Sequence, residues 1–128
     1  MFQKTNRRQQ IGKASEQLAL RFLAANGYTI EETNVRFPAG EIDVVAREGE
    51  TLCFVEVRAT TSAEWGGPLA TITARKRSRI IRAARWYLSQ DRALPPEMRF
   101  DVVAIEWRED GRPTIELVRG AFDASGRG

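Results

Sequence analysis

Residues 40–60 read GEIDVVAREGETLCFVEVRAT, and this stretch decides the fold. Apolar residues alternate with polar ones on both sides of residues 48–51, EGET, which predicts two antiparallel strands joined by a two-residue turn. Glycine at the first central position favours a type II′ turn, because that turn needs a positive φ there. The turn sets the register, so that Glu48 pairs with Thr51 and Asp43 lies opposite Glu56.

This register predicts two different faces. One face is apolar and needs a layer of structure packed over it; it consists of Ile42, Val44, Ala46, Cys53, Val55 and Val57. The other face carries Asp43 beside Glu56, with Glu41 and Arg58 as the next pair outward. A slip of one residue would move Asp43 to the opposite face.

The two carboxylates of the polar face are predicted to lie about 5 Å apart at Cβ, where like charges destabilise a sheet unless something neutralises them. A hard divalent cation would do so, and carboxylate oxygens suit Mg²⁺ or Mn²⁺. The alternative is a solvated sheet edge, in which Asp43 and Glu56 are balanced by Arg36, Arg47 and Arg58. The sequence leaves both interpretations open.

Composition limits the classes of protein to which the chain belongs. Its 128 residues, 42% of them hydrophobic and 29% charged, predict one globular domain with its own core. No apolar run approaches the length of a membrane span, and the start MFQKTNRRQQ lacks the apolar segment of a secretory signal. We therefore expect a cytoplasmic protein, with the single Cys53 as a small core residue.

Histidine is absent from the chain. Its absence excludes Ser-His-Asp and Cys-His catalysis and zinc sites with histidine ligands. Any hydrolysis must therefore depend on carboxylates, a metal ion and Lys or Arg. The net charge of +3 is compatible with a polyanionic partner, although proteins without such a partner often carry a similar excess.

The order of elements predicts an α/β fold. Residues 1–10 are interpreted as a mobile basic arm, residues 11–26 as a helix and residues 28–37 as an irregular strand. After the hairpin and a loop following Thr60, a second helix is expected from Ala74 to about Gln90, with Thr73 as its N-cap. Two further strands at 99–107 and 114–118 complete the order α-β-β-β-α-β-β, and the tail 123–128 is expected to be frayed. This order predicts a mixed sheet with helices packed on it.

The second predicted helix is the basic part of the chain. An apolar stripe faces the core, and the opposite stripe carries Arg75, Arg79, Arg82 and Trp86, with Lys76 at its edge. Arginines finished by an aromatic residue suit contact with phosphate and stacking on a base. Any solvated helix face can have the same composition, so nucleic-acid binding and plain solvation both stay open.

These residues carry a resemblance to a known family. The matching positions are Gly12 with Ser15-Glu16 and Ala19, Gly27-Tyr28, Asn34-Val35-Arg36, GEID at 40–43, FVEV at 54–57, Thr73 with Arg75-Lys76, and RFDVV at 99–103. The chain resembles the YraN-like family of small bacterial proteins from about Ile11 to Phe122. That family in turn resembles restriction-endonuclease-like nucleases, particularly archaeal Holliday-junction resolvases.

The resemblance implies a restriction-endonuclease-like α/β domain over residues 11–122 and hydrolysis of DNA phosphodiester bonds with Mg²⁺ or Mn²⁺. It implies that Asp43, Glu56 and the Val57 carbonyl hold the metal and that Glu16 assists. Where the related nucleases have Lys, this chain has Arg58, which stays protonated and cannot accept a proton from water. Lys76 is the candidate that would reach the site instead.

Two functional hypotheses follow. The first is a metal-dependent endonuclease acting on branched or single-stranded DNA, with Arg36, Arg75, Lys76, Arg79, Arg82 and Trp86 as DNA contacts. The second is a nucleic-acid-binding protein that keeps the nuclease scaffold without catalysis, as an accessory to repair, recombination or uptake of DNA. DNA is the expected partner, no membrane partner is expected, and a homodimer is left open.

Overall fold

The computed structural model of the chain describes residues 7–61, 66–90 and 93–127. Its elements are α1 (Arg7–Ala25), β1 (Thr29–Phe37), β2 (Gly40–Glu48), β3 (Thr51–Thr61), a 3₁₀ turn (Leu69–Thr71), α2 (Ala74–Leu88), β4 (Glu97–Trp107) and β5 (Pro113–Phe122). The predicted order α-β-β-β-α-β-β and the α/β class are confirmed.

Within the described ranges, five strands form one mixed sheet in the order β1-β2-β3-β4-β5. Strands β3 and β4 are parallel, and the other neighbours are antiparallel. Parallel strands cannot be joined by a tight turn. The chain therefore crosses between β3 and β4 through α2, and this crossover places α2 on the sheet.

Both faces of the sheet are covered. Helix α1 buries Ala19 and Leu23 against one face, which includes Val44 and Val55. Helix α2 packs on the other face against a cluster of buried side chains: Val45, Leu52, Phe54, Phe100, Val102 and Phe122. The covering of both faces explains why residues 44–46 of β2 and residues 52–55 of β3 are consecutive buried apolar residues.

The predicted hairpin register is confirmed over the five pairs from Glu48 with Thr51 to Val44 with Val55. Gly49 has a φ of 61°, whereas Glu50 has no positive φ. A type II′ turn requires this combination.

The alternation of faces breaks at Asp43, and here the sequence interpretation was wrong. Ile42 packs in the α2 layer, while Val44 packs in the α1 layer, although residues two apart in a regular strand share one face. Opposite this point, Asn34 of β1 has a φ of 53°. The local break in the pleat turns Ile42 away from the face predicted for it.

The same irregularity ends the pairing of β2 with β3 at Val44 and Val55. The predicted backbone pairs of Asp43 with Glu56, Ile42 with Val57, and Glu41 with Arg58 therefore do not form. Instead, Asp43 Oδ2 accepts the Val57 N–H at 2.8 Å. The side chain replaces a main-chain carbonyl, and the two strands separate beyond it.

The ends of the chain differ from the sequence interpretation. Helix α1 begins at Arg7, so residues 7–10 of the expected arm are helical, while residues 1–6 lie outside the described ranges. At the other end, the Asp123 N–H donates to the Arg127 carbonyl at 2.9 Å. Arg77 Nε also donates to the Gly126 carbonyl at 2.8 Å, so residues 123–127 are fastened to α2 and not frayed.

The segments flanking α2 follow the prediction in part. Thr73 is the N-cap, and its side chain accepts the Lys76 N–H at 3.2 Å, as predicted. The loop after Thr60 contains the 3₁₀ turn Leu69–Thr71, which the sequence did not reveal. Residues 62–65 of that loop lie outside the described ranges.

A buried carboxylate holds β4 to the rest of the sheet. Asp101 is fully buried and accepts hydrogen bonds from Tyr28 Oη at 2.7 Å, Arg99 Nε at 2.7 Å and the Gly120 N–H at 2.9 Å. Arg99 also donates to Glu48 at 2.7 Å. A buried charge is tolerated only when it is paired and hydrogen-bonded, and Asp101 meets both conditions.

We expect Asp101→Ala to lower the free energy of unfolding by about 3–5 kcal/mol, because it leaves Arg99 and Tyr28 without their buried acceptor. The matched control is Asp110→Ala, which removes an exposed acceptor of the Arg112 N–H and should cost about 1 kcal/mol or less. Urea denaturation of both variants checks the difference. Equal losses would contradict a special role for the buried carboxylate.

Candidate active site

The site is built where β2 and β3 separate. Asp43 of β2, the residue before the first confirmed pair, lies beside Glu56 of β3, and each carboxyl group shifts the pKa of the other. The Glu56 side chain is only 13% exposed. We call this pair the carboxylate cleft. Its two acids interact although their predicted backbone pair does not form.

Burial and mutual repulsion keep a proton in the carboxylate cleft. Burial is the main cause that raises the pKa of Glu56 to about 8, and the negative charge of Asp43 raises it further. Burial also raises the pKa of Asp43, although the hydrogen bonds from Val57 and Glu56 oppose the rise. Glu56 therefore keeps its proton at neutral pH.

Arg58 borders the cleft in a fixed orientation. Its Nη1 lies 3.5 Å from Glu56 Oε1, and its Nε donates to Thr71 Oγ1 at 2.8 Å. Thr71 Oγ1 in turn donates to the Pro68 carbonyl at 2.6 Å. The positive charge of Arg58 lowers the pKa of Glu56, but burial and Asp43 outweigh it. The arginine therefore only partly neutralises the two acids.

Glu16 approaches the cleft from α1. It accepts a hydrogen bond from Asn34 Nδ2, and its negative charge is one of the causes that raise the pKa of Asp43. Asn34 tolerates its positive φ because its short polar side chain suits the left-handed region. Asn34 thus has two roles, since it breaks the pleat opposite Asp43 and holds Glu16 beside the cleft.

A groove on the α2 side brings positive charge to the same acids. Its lining includes Arg36, Lys76 and Arg79 together with Asp43, Glu56 and Arg58, and its volume is about 430 Å³. We call it the basic groove. Three of the predicted DNA contacts therefore lie beside the carboxylate cleft.

Gly40 allows the β1–β2 turn to press against α2. A Cβ on Gly40 would lie 2.8 Å from the backbone carbonyl oxygen of Arg79, which is closer than real side chains come. Only glycine permits this approach without a shift of the backbone. The contact brings Arg36, near the end of β1, and Arg79 to the walls of one groove.

The remaining predicted DNA contacts lie farther from the cleft. Trp86 stacks on Phe37 with ring centroids 6.3 Å apart, and it is 49% exposed. Trp86 and Arg82 line a separate, shallower depression with Ala39. Arg75 is exposed in the first turn of α2 and lines neither cavity.

The donor atoms of the cleft fit a small, hard cation. Mg²⁺ commonly takes one or two carboxylates and completes its shell with water and substrate phosphate. Asp43 and Glu56 supply two carboxylates, and the Val57 peptide faces Asp43 through its N–H. Because the N–H and C=O of one strand residue point to the same side, the Val57 carbonyl also faces β2. Among the described residues, no group of three or more acidic, histidine or cysteine side chains is arranged for a metal.

The sequence interpretation missed Asn34 and Thr71 as parts of the site. The sequence indicated Asn34 only as part of a family motif. An asparagine within a strand is a local sign of a positive φ, because asparagine adopts such a conformation more often than most other residues. Thr71 belongs to the loop for which no element was predicted. Its contact with Arg58 spans 13 residues, and no local pattern reports such a contact.

In the described part of the chain, no helix is both long and apolar enough to cross a membrane.

Comparison with known proteins identifies relatives over most of the chain. The profile of a family described as "Uncharacterised protein family UPF0102" matches residues 15–105. A UPF0102 protein of Desulfosudis oleivorans is 46% identical over 120 residues, covering 94% of this chain and 95% of that protein. UPF0102 proteins of Symbiobacterium thermophilum and Moorella thermoacetica are 45% and 43% identical, covering 89% and 91% of this chain and 97% and 95% of the relatives.

The raised pKa of Glu56 predicts how stability depends on pH in the absence of metal. Between about pH 4.5 and pH 8 the folded protein binds more protons than the unfolded chain, so the free energy of unfolding falls as the pH rises through this window. Glu56→Gln removes the ionisation and should flatten this fall by at least about 1 kcal/mol, the equivalent of a shift of roughly one pKa unit. Urea denaturation in EDTA across the window measures it.

The control for this experiment is Glu50→Gln at the exposed hairpin turn, which should keep the wild-type profile. The chain has no histidine, so few other side chains titrate in the same window. Identical pH profiles for the wild type and Glu56→Gln would show that the carboxylate cleft does not retain a proton.

Proposed function

The chain belongs to the uncharacterised protein family UPF0102, and we propose that this member hydrolyses DNA phosphodiester bonds with Mg²⁺ or Mn²⁺ held in the carboxylate cleft. The observation that carries the proposal is the half-buried pair of Asp43 and Glu56. The pair lies in a groove whose lining also includes Arg36, Arg58, Lys76 and Arg79. Two acids kept together against their repulsion suit a cation better than they suit a purely structural role. A DNA substrate would place the protein in the cytoplasm.

Each residue of the cleft has a proposed role. Asp43, Glu56 and the Val57 carbonyl would hold the metal. The bound ion would neutralise charge on the phosphate and lower the pKa of a water molecule for attack. Glu56 must lose its proton before it can act as a ligand, so affinity for the metal should rise with pH toward the pKa of Glu56.

The cations beside the cleft would bind and orient the DNA backbone. Arg36 and Arg79 line the basic groove and would contact phosphates. Arg58 is held by Thr71 and would stabilise charge on the reacting phosphate, but it cannot accept a proton. Lys76 lines the same groove, and its compact ammonium group can lose a proton when it is desolvated. We assign to Lys76 the role that Lys has at the position of Arg58 in the related nucleases.

Glu16 would act from the opposite side. One of its oxygens accepts from Asn34, and a carboxylate has further acceptor capacity. It would therefore orient the attacking water near Asp43.

One observation favours a second candidate function, in which the chain binds nucleic acid without cleaving it. The Arg58 guanidinium lies 3.5 Å from Glu56, so a side chain already provides part of the charge that a metal would supply. A protein of this kind would act as an accessory in repair, recombination or uptake of DNA. The basic groove would then be the functional surface and the acids a remnant.

Cleavage assays separate the two candidates. We expect purified protein to cleave single-stranded or branched DNA with Mg²⁺ or Mn²⁺, and Asp43→Asn to lower the rate by about 100-fold or more, because the variant removes a charged ligand. Lys76→Met should lower the rate strongly, and Arg58→Lys should raise it. Gel assays with linear, branched and single-stranded substrates measure all four proteins.

The matched control for cleavage is Asp110→Asn in the exposed β4–β5 turn, which should retain wild-type activity. Cleavage that survives Asp43→Asn would place the active site elsewhere. If neither the wild type nor Arg58→Lys cleaves any substrate with either metal, the non-catalytic candidate is favoured.

A separate experiment tests whether the basic groove binds DNA. Arg36→Ala and Arg79→Ala should each weaken DNA affinity and reduce the slope of log K against log salt by about 0.9 for a lost phosphate contact. Arg21→Ala, on the exposed side of α1, changes the charge equally and should leave that slope unchanged. Fluorescence anisotropy between about 50 and 200 mM salt gives the slopes. Equal slopes for all three variants would mean that the groove only carries solvated charge.

A further inference from the structure

A second cavity meets the carboxylate cleft from the α1 side. It has a volume of about 880 Å³ and lies between the N-terminal half of α1 and the C-terminal ends of β3 and β4. We call it the α1-side cavity. Asp43 and Arg58 line both this cavity and the basic groove. A ligand that reaches the carboxylate cleft can therefore extend into the α1-side cavity.

A buried hydroxyl without a partner lies in the wall of the α1-side cavity. Thr60 is 2% exposed, and in the described part of the chain its Oγ1 has no hydrogen-bond partner. An unsatisfied buried polar group destabilises a fold, so its presence calls for an explanation. Ser15, which is equally buried in the same wall, accepts the Trp107 Nε1–H at 2.8 Å. Among the described residues, the buried side-chain polar atom that lacks a partner is therefore Thr60 Oγ1.

The charges of the α1-side cavity disfavour a phosphate inside it. Glu16 and Asp43 line it, and their carboxylates would repel a buried anion. Arg7, Arg8 and Arg108 also border the cavity, and all three are exposed. A phosphate therefore suits the exposed arginines, and an uncharged group suits the interior.

The interior combines apolar walls with a few polar atoms. Ile11, Val57 and Trp107 supply apolar and aromatic surface, while Thr60 supplies a hydroxyl that can donate and accept. A nucleobase needs this combination, because it has flat apolar faces and an edge of donors and acceptors.

We propose that the α1-side cavity binds the base of an unpaired nucleotide whose phosphate lies at the carboxylate cleft, with Thr60 Oγ1 bonded to the edge of the base. This inference rests on the proposed DNA-cleaving function and specifies its substrate. A base within a duplex would have to unpair and unstack before it could enter the cavity. This free-energy cost is smallest for a base that is already unpaired. The cavity thus selects DNA with a single-stranded or bulged nucleotide at the point of attack.

Gly12 offers a way to close the cavity without touching the acids. It lies on α1 in the cavity wall, and a Cβ built on it meets no atom within 4 Å. Gly12→Phe should therefore fill the cavity with a ring. Gly12→Ala is the matched control, because it adds only a methyl group and favours the helix.

The test compares two DNA probes with Ca²⁺ in place of Mg²⁺ or Mn²⁺, so that a divalent cation can hold the phosphate at the carboxylate cleft. A gel of each sample establishes that the probes stay intact during the measurement. Both are fluorescein-labelled duplexes with one bulged nucleotide, which is adenosine in one probe and an abasic site in the other. Wild type and Gly12→Ala should bind the adenosine probe about tenfold more tightly, the scale of one stacked base. Gly12→Phe should bind the two probes equally. Thermal denaturation establishes that each variant is folded.

A second variant tests the hydroxyl. Thr60→Val should lose part of the preference for adenosine and should be at least as thermally stable as the wild type, because it removes an unsatisfied polar atom. Thr29→Val, the same change on the exposed end of β1, should leave the preference intact. Fluorescence anisotropy measures the affinity ratio for each protein.

Equal affinity of the wild type for the two probes would overturn the inference, and so would a preference that survives Gly12→Phe. These outcomes are independent of catalysis. A wild type that prefers the adenosine probe but never cleaves DNA would retain the base site and refute the proposed nuclease function. Metal-dependent cleavage by a wild type that does not prefer the adenosine probe would support the nuclease function and overturn the base site.

Discussion

The hydrogen bond from the Val57 N–H to Asp43 Oδ2 is the interaction on which the site depends. In a continuous hairpin this N–H would bond to a main-chain carbonyl of β2. Because a carboxylate takes that place, the ladder ends at Val44 and Val55 and the strands part. Asp43 is thereby half-buried beside Glu56, and it lines both the basic groove and the α1-side cavity.

The covering of both sheet faces determines what surrounds the two acids. Helix α1 brings Glu16 to one side of Asp43, and α2 brings Lys76 and Arg79 to the other. Burial by these layers raises the pKa of Glu56, and Arg58 does not supply enough positive charge to reverse the rise. Arg58 is the first positive charge beside the acids, and a proton on Glu56 takes the place of a second one. A divalent cation bound to both acids would compete with that proton.

Local chemistry allowed the hairpin to be predicted, since Gly49 fixes the turn and the turn fixes five residue pairs. The same register predicted Asp43 beside Glu56, and the two acids do interact, although the register itself ends one pair earlier. The break in the pleat could not be predicted, because it depends on the positive φ of Asn34 on a different strand. The partner of Arg58 and the unpaired hydroxyl of Thr60 likewise arise from packing between segments distant in sequence. Sequence patterns thus indicated the acids of the site, whereas tertiary contacts determine their surroundings.

The central claim is that the carboxylate cleft exchanges a proton for a divalent cation. Isothermal titration calorimetry with Mn²⁺ near pH 7, in buffers of different ionisation enthalpy, measures binding and proton release together. The account predicts binding at the cleft with release of up to about one proton, and loss of both signals in Glu56→Gln. Binding without proton release, or unchanged binding in Glu56→Gln, would contradict it.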